Sequence, residues 1–180
     1  MGMDLSEHSH RPVVLSPSDP SWPKLAEEEA RRIAAVLGAN LIEVHHIGST
    51  AIPGILAKPV IDLAPEVRDI RELDRLEKEI RESGYEYWGE YGLPGRRFCP
   101  RLHSNGERAV NVHCYQTGDP ELHRHITFRD YLRAYPEVAR EYERVKIRAR
   151  DLHPDDLFAY NDEKDGWIRK TERDALAWKA

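Results

Sequence analysis

Strand patterns occur only in the part of the chain before Asp119, and the part after it contains helical patterns alone. Proline interrupts this later part, which predicts helices at about 120–134, 137–151 and 163–178. A sequence with mixed strands first and helices last is typical of one α+β domain. We therefore predict one domain over residues 12–180, with a helical C-terminal third, and a flexible tail over residues 1–11.

The earlier part of the chain alternates between helical and extended patterns. Apolar residues on one stripe predict a helix from about 24 to 37, which Gly38 ends in the position of a helix C-cap. A second amphipathic helix is expected over 69–83. Extended patterns predict strands at 13–15, 41–47, 59–67, 85–91, 96–101 and 109–115.

Charge is the unusual part of the composition, because Asp, Glu, Lys and Arg make up 33% of the residues. The 27 basic and 32 acidic residues leave a net charge of -5, which argues against a nucleic-acid partner. No apolar run is long enough to span a membrane, and the stretch from Met1 to His10 lacks the apolar core of a signal peptide. We therefore expect a cytoplasmic protein with no membrane partner.

The most informative segment joins the predicted strands 41–47 and 59–67. The first strand ends in Gly48-Ser49-Thr50, where the missing Cβ of the glycine allows a tight turn. Backbone N–H groups and the two hydroxyls of such a turn form a concave anion site. Asp62 lies within the following strand, where a charge is costly to bury without a partner. This combination predicts a phosphate cradle that faces a metal-binding carboxylate.

A simpler interpretation treats Gly48-Ser49 as an ordinary turn and Asp62 as a salt-bridged residue of a half-exposed strand. The alternation of side chains along the strands favours a site instead, because each strand has one polar and one apolar face. In the strand 109–115, Asn111 and His113 share the polar face. If the two strands are neighbours in the sheet, Asp62 lies close to both of these residues.

The run HIGSTAIPGILAKPVIDL, from His46 to Leu63, resembles the signature of the GrpB-like family, which belongs to the nucleotidyltransferase-fold superfamily. The resemblance covers nearly the whole chain from about residue 12. It implies a nucleotidyltransferase-like α+β fold, in which helices flank a mixed sheet, and a polar pocket built on the Gly-Ser turn. Further motifs of the family resemble Asp19-Pro20-Ser21-Trp22, Arg97-Phe98, Val112-His113, the run from Phe128 to Arg133, and Tyr160, Lys164, Trp167 and Ile168.

The resemblance also indicates which basic residues belong to the pocket. Arg97, Arg129 and Lys164 match motif positions of the family and are expected to bind phosphate or carboxylate groups. Members of the family that are fused to dephospho-coenzyme A kinase hint at nucleotide or cofactor chemistry and at a link to coenzyme A biosynthesis.

Two residues beside the Gly-Ser turn have more than one interpretation. Lys58 either binds phosphate or only seals the loop against solvent, and His46 either holds a phosphate, orients Asp62 or is an ordinary strand residue. We include both in the predicted binding set. That set comprises His46, Gly48, Ser49, Thr50, Lys58, Arg97, Arg129 and Lys164.

The sequence departs from the pattern of active superfamily members, which carry a second acid two residues after the first and a third acid on a later strand. Those carboxylates hold two Mg²⁺ ions. Here Ala64 follows Asp62, and Glu66 lies four residues along the strand, about 13 Å away. The family commonly shows His-x-His on the later strand, whereas this chain has Asn111 before His113. A single Mg²⁺, held by Asp62 and His113 together with substrate phosphates, remains the metal hypothesis.

Two functional hypotheses follow. In the first, the protein binds a nucleotide or another phosphorylated small molecule and transfers a nucleotidyl group with Mg²⁺, with Asp62 and His113 as catalytic residues. In the alternative, it is a non-catalytic binding or regulatory module that has lost the second metal carboxylate, which Ala64 and Asn111 favour. The net charge weakens a third interpretation, an enzyme that adds tails to RNA.

Overall fold

A computed structural model describes residues 12–180, so the predicted tail over 1–11 lies outside the described residues. Two short 3₁₀ turns, Gly38–Asn40 and Ser49–Ala51, flank the first strand. The helices and strands are α1 (Trp22–Leu37), β1 (Leu41–Ile47), β2 (Ile61–Val67), α2 (Glu72–Arg75), α3 (Glu77–Glu82), β3 (Arg97–Leu102), β4 (Arg108–Gln116), α4 (Pro120–Ala134), α5 (Pro136–Leu152) and α6 (Leu157–Lys179).

The four strands form one mixed sheet in the order β1-β2-β4-β3. The central pair, β2 and β4, runs parallel, and each edge strand pairs antiparallel with its neighbour. This confirms the predicted α+β fold with a mixed sheet and a helical C-terminal third. It also confirms that β2 and β4 are neighbours, since Asp62 pairs with Asn111 and Leu63 with Val112.

The two faces of the sheet have different coverings. Leu63 and Val112 belong to the main core together with Ile33 of α1 and with apolar residues of α2 and α3. Ala64 lies on the opposite face and packs with Leu122 of α4. The alternation of β2 therefore sends its leucine into the main core and its aspartate toward the C-terminal helices, as the period of a strand requires.

The C-terminal helices also pack on the segment that follows β1. Ile52 and Ile55 are buried in a cluster with Leu132 of α4 and with Ala139 and Tyr142 of α5. This cluster anchors the connection between β1 and β2 beneath α4 and α5. The polar face of β2 and β4 therefore lies under helices that cover it only in part.

Three elements differ from their predictions because local backbone geometry was not visible in the residue pattern. The helix expected over 69–83 is divided at Leu76, whose φ of -91° and ψ of 9° leave the helical region. The segment 85–91 is not a strand, although Glu86 and Trp88 donate backbone hydrogen bonds to carbonyls of β3. Residues 13–15 also form no strand, and nearby Ser16 makes an isolated bridge to Ala57.

The last helix begins at Leu157, six residues before its predicted start at 163. The side chain of Asp156 accepts hydrogen bonds from the backbone N–H groups of Phe158 and Ala159, which is the geometry of an N-cap. The additional turn contains Tyr160, which lines the cavity of the candidate site. Within residues 12–180, no helix combines the length and the apolar character that crossing a bilayer requires.

Candidate functional site

The Gly-Ser turn and Asp62 are held together by strand register. β1 ends at Ile47, which pairs with Asp62 of β2, so the chain turns at Gly48 directly beside the carboxylate. Gly48 has a φ of 72°, in the left-handed region that favours glycine. A Cβ placed on it would lie 2.6 Å from Asp62 Oδ2. Both its backbone conformation and this close approach therefore require glycine at position 48.

Asp62 is fixed by donors from the neighbouring strand. Its Oδ1 accepts a hydrogen bond of 2.8 Å from Asn111 Nδ2, and His113 Nε2 lies 3.4 Å from the same oxygen. Burial alone would raise the pKa of Asp62, but the hydrogen bonds from His113 and Asn111 and the charge of Lys58 lower it below its ordinary value. Asp62 is therefore ionised at neutral pH. Asn111 and His113 lie beside it, as the sequence predicted for neighbouring strands.

A cavity of about 440 Å³ opens over this carboxylate, between the sheet and the C-terminal helices. Asp62, Asn111 and the Gly-Ser turn form one end of its lining. Tyr91 and Arg108 lie at its β3–β4 side. Five of the ten predicted residues line the cavity, namely Ser49, Thr50, Lys58, Asp62 and Lys164.

Three lysines line the cavity, and burial lowers the pKa of each one. Lys164 is 7% exposed, and burial followed by repulsion from Lys58 and Lys146 lowers its pKa to about 7. Burial also lowers the pKa of Lys146 to about 8, against the opposing effect of Glu143. Burial lowers the pKa of Lys58 as well, while Asp62 raises it. Burial of these three amines in one cavity is therefore unfavourable unless negative charge compensates it.

Lys146 was not predicted as a site residue, although its spacing along the sequence indicates burial. The buried residues of α5 are Ala139, Tyr142, Lys146 and Ala149, which lie three and four residues apart on one helical stripe. A lysine on an otherwise apolar stripe is unusual, because lysine is almost never fully buried without a partner. Its Nζ donates to the backbone carbonyl of Leu56, which fixes the connection between β1 and β2.

His46 and His113 contact residues of the cavity lining but do not line the cavity themselves. His46 Nε2 lies 2.9 Å from Thr50 Oγ1, and burial lowers the pKa of His46 to about 4, so its ring is neutral near pH 7. His113 is held between Asp62 and Arg96, whose Nη1 lies 3.3 Å from His113 Nδ1. Their placement suits them to orient Thr50 and Asp62 rather than to bind phosphate.

The structure does not place Arg97 in the pocket, which corrects the prediction from the family motif. Arg97 lies on the opposite face of the sheet, where its Nε is 2.6 Å from Asp74 Oδ1. The register pairs Phe98 with His113, so Phe98, and not Arg97, has its side chain on the face of the site. The neighbouring Arg96 is buried and contacts His113, and the sequence analysis did not name it.

Arg129 contacts the end of β1 rather than the cavity. Its Nη1 donates to the backbone carbonyl of His46, and its Nε and Nη2 bind the carboxylate of Asp130. Arg133, one turn further along α4, donates to the carbonyl of Ala51 in the same way. These arginines hold the Gly-Ser turn against α4, and Arg129 is not part of the cavity lining.

The donor set over Asp62 fits a divalent cation poorly. Within residues 12–180, no three His, Cys, Asp or Glu side chains are grouped so that they could hold a metal ion. Asn111 Oδ1 is buried and lacks a hydrogen-bond partner in that range, so it offers one further oxygen. The positive charges of Lys58 and Lys164 face the same cavity and repel a cation. An anionic phosphate fits this arrangement better than Mg²⁺ does.

The missing second acid has a structural reason. Ala64 is fully buried in a cluster with Ile47, Tyr115 and Leu122, so its position faces packed side chains. Glu66 lies further along β2 and hydrogen-bonds with Thr117, away from Asp62. Within residues 12–180, Asp62 therefore has no second carboxylate beside it, and the two-metal chemistry of the superfamily requires one.

These features define a nucleotidyltransferase-like α+β fold with a lysine-rich pocket over Asp62. The family model described as GrpB protein matches residues 12–174, and the chain belongs to this family. The crystal structure of conserved protein GrpB from Enterococcus faecalis superposes with a TM-score of 0.87 at 38% identity. It covers 92% of this chain and 99% of that one.

Two relatives are longer than this chain. The UPF0157 protein YqkA of Bacillus subtilis is 39% identical over 169 residues, which are 94% of this chain and 49% of YqkA. A dephospho-CoA kinase of Mycolicibacterium paratuberculosis is 30% identical over 191 residues, covering 93% of this chain and 47% of the kinase. The chain thus spans about half the length of each of these two relatives.

Proposed function

We propose that this protein binds a nucleotide or another phosphorylated small molecule in the cavity over Asp62. The observation that carries the proposal is the concentration of Lys58, Lys146 and Lys164, with Arg108, in a cavity whose lining has only two carboxylates among residues 12–180, Asp62 and Glu107. Burying three amines together is unfavourable unless an anion compensates their charge, and phosphate is such an anion. The similarity to a chain named dephospho-CoA kinase supports a nucleotide-related ligand.

The residues have distinct roles in this proposal. The hydroxyls of Ser49 and Thr50 donate hydrogen bonds to the phosphate oxygens, and Lys58 and Lys164 neutralise its charge. Asp62 balances the lysine charges when the cavity holds no ligand, and it accepts hydrogen bonds from hydroxyl or amino groups of the ligand. Because Lys146 is committed to Leu56, it acts on the ligand through its charge.

Of the two predicted functions, the donor set favours binding without nucleotidyl transfer. Transfer would require the attacking oxygen to bond to phosphorus while the bond to the leaving pyrophosphate breaks. The single carboxylate and the position of His113 behind Asp62 give little support for that step. Nucleotidyl transfer remains the second candidate, since Asp62 is ionised and adjoins the cavity.

Isothermal titration calorimetry tests the proposal with ATP, GTP, CTP, UTP and pyrophosphate, each with Mg²⁺ and with EDTA. We expect at least one of these ligands to bind, with an affinity that EDTA does not abolish. Lys164→Met should weaken it by about tenfold, which corresponds to the loss of one charge-assisted hydrogen bond. Lys170→Met is the matched control, because Lys170 lies on the same helix in an exposed pair with Asp174.

Two results would overturn the proposal. One is the absence of binding by every ligand of the panel. The other is an affinity that neither Lys164→Met nor Asp62→Ala changes. Release of pyrophosphate from any bound triphosphate would instead establish nucleotidyl transfer and exclude a purely non-catalytic module.

A further inference from the structure

Within residues 12–180, the amines of two cavity lysines, Lys58 and Lys164, have no hydrogen-bond or ion-pair partner, and Lys164 is the more deeply buried of the two. Its Nζ makes no hydrogen bond or ion pair with any of residues 12–180, and it lies 4.0 Å from the centroid of the Tyr160 ring. Tyr160 is one turn earlier on α6 and is itself buried, so the ring covers one side of the amine. Because Lys164 also lines the cavity, its other side is open to a ligand.

The exposed lysines have the opposite surroundings. Each lies near a carboxylate on the surface, in the pairs Lys24–Glu28, Lys78–Glu82, Lys170–Asp174 and Lys179–Asp130. A nearby carboxylate favours the ammonium form, which has no lone pair for attack on an electrophile. The cavity thus contains an amine of different chemical character from those on the surface.

Every charged group that acts on Lys164 can be named. Lys58, from the connection before β2, and Lys146, from α5, repel its proton, whereas Asp62 of β2 attracts it. The Nζ of Lys164 lies over the ring of Tyr160, and the Nζ of Lys146 lies over the ring of Tyr142. Burial acts with the two lysines against the ammonium form. Burial beside a second cation is a known means of converting a lysine into a nucleophile near neutral pH.

We propose that Lys164 is a nucleophilic amine that forms an imine with an aldehyde-bearing phosphorylated small molecule in this cavity. The inference rests on the proposed function with one change of role: for an aldehyde-bearing ligand, Lys58 and Arg108 hold the phosphate, and Lys164 reaches the carbonyl instead of the phosphate. Arg108 lines the same cavity.

The chemistry of the step balances without a further reactant. The lone pair of Nζ attacks the carbonyl carbon, a C–N bond forms, and the carbonyl oxygen takes up a proton to give a carbinolamine. The hydroxyl then leaves as water while the nitrogen loses its remaining proton and the C=N bond forms. Amine and aldehyde thus yield an imine and one water molecule.

Pyridoxal 5′-phosphate and pyridoxal are a matched pair of probes, since only the first carries phosphate. Each is incubated with the full chain and trapped with borohydride, which reduces the imine to a stable secondary amine, and labelled peptides are quantified by mass spectrometry. At pH 7 we expect Lys164 to be labelled at least about tenfold faster than Lys170, because burial beside two cations leaves a substantial fraction of the Lys164 amine unprotonated. Its labelling should level off above pH 8.

The two variants separate reactivity from phosphate binding. Lys164→Met should remove this label and leave that of Lys170 unchanged. Lys58→Met should reduce the preference of Lys164 for the phosphorylated probe while pyridoxal still reacts.

Lys164 labelling no faster than Lys170 with either probe would overturn the imine proposal, whatever the calorimetry shows. Rapid labelling of Lys164 that is equal for the two probes would support its nucleophilicity and count against phosphate binding. The two proposals can therefore fail independently.

Discussion

The carboxylate of Asp62 lies against the backbone of Gly48 so closely that a Cβ at position 48 would come within 2.6 Å of Oδ2. β1 and β2 produce this contact by pairing Ile47 with Asp62 at the point where the chain turns. The turn that offers hydrogen-bond donors and the carboxylate that faces the cavity are therefore one structural unit. A substitution of Gly48 should therefore displace the Asp62 carboxylate, and a substitution of Asp62 should change the packing of the turn.

Gly48→Ala should lower the free energy of unfolding by about 2–3 kcal/mol, because it combines a left-handed backbone with a steric overlap. Gly54→Ala is the matched control, since Gly54 also has a positive φ of 77° but no atom within 4 Å of an added Cβ. The control should cost only about 1 kcal/mol. Chemical denaturation measures both, and equal losses for the two variants would contradict a specific contact with Asp62.

Restoring the missing acid should damage the fold rather than create a metal site. Ala64 is fully buried among Ile47, Tyr115 and Leu122, so Ala64→Asp would place a carboxyl group in an apolar cluster. We expect a loss of about 3 kcal/mol or more, and no gain in Mg²⁺ affinity by calorimetry. Ala64→Ser serves as the smaller polar control. A stable Ala64→Asp variant that binds Mg²⁺ would show that this position is open to the site.

Arg96 and Arg97 are adjacent, but their substitution should affect different properties: ligand affinity for Arg96 and stability for Arg97. Arg97 hydrogen-bonds to Asp74 and holds the pKa of that carboxyl at about 2, on the face away from the cavity. Arg97→Met should lower stability by about 1 kcal/mol and leave ligand affinity unchanged.

Arg96 bonds to the carbonyls of Glu90 and Tyr91 and contacts His113, so it supports the cavity wall. Arg96→Met should weaken ligand binding by about fivefold, or about 1 kcal/mol. Calorimetry on both variants decides the matter. A loss of affinity confined to Arg97→Met would restore the prediction drawn from the family motif.

Acid should destabilise the protein through two half-buried histidines, His46 and His125. Burial lowers the pKa of His46 to about 4 and, together with the charge of Arg124, that of His125 to about 3. The unfolded chain binds these protons near pH 6.5, and the folded protein binds them only at lower pH. Their contribution is therefore present above pH 6.5 and is lost as the pH falls toward 4, by up to about 3 kcal/mol for each residue.

His125→Gln should flatten this pH dependence in denaturant titrations between pH 7 and pH 4. The exposed His123→Gln is the matched control and should leave the slope as it is in the unchanged protein. Identical slopes for the His125 variant and the unchanged protein would show that His125 is protonated in the folded state.

The predictable part of the site came from short-range rules. The period of two along a strand placed Asp62 and Asn111 on one face, and the structure pairs them directly. The same rule could not place Arg97, because a shift of one residue in the register of β3 against β4 exchanges the faces of Arg96 and Arg97. Lys146 was missed for a related reason, since its spacing suggests burial only once the stripe of α5 is known to pack inward.

The sequence by itself determined the α+β class, the positions of the four strands of the sheet along the chain, and the turn at Gly48, because these depend on local periodicity and backbone conformation. Only the tertiary structure decided that Lys58, Lys146 and Lys164 enclose one cavity with Asp62. Those four residues come from the connection before β2, from β2 itself and from two separate helices. Their proximity follows from how α5 and α6 pack over the sheet, which is a long-range property that no local pattern encodes.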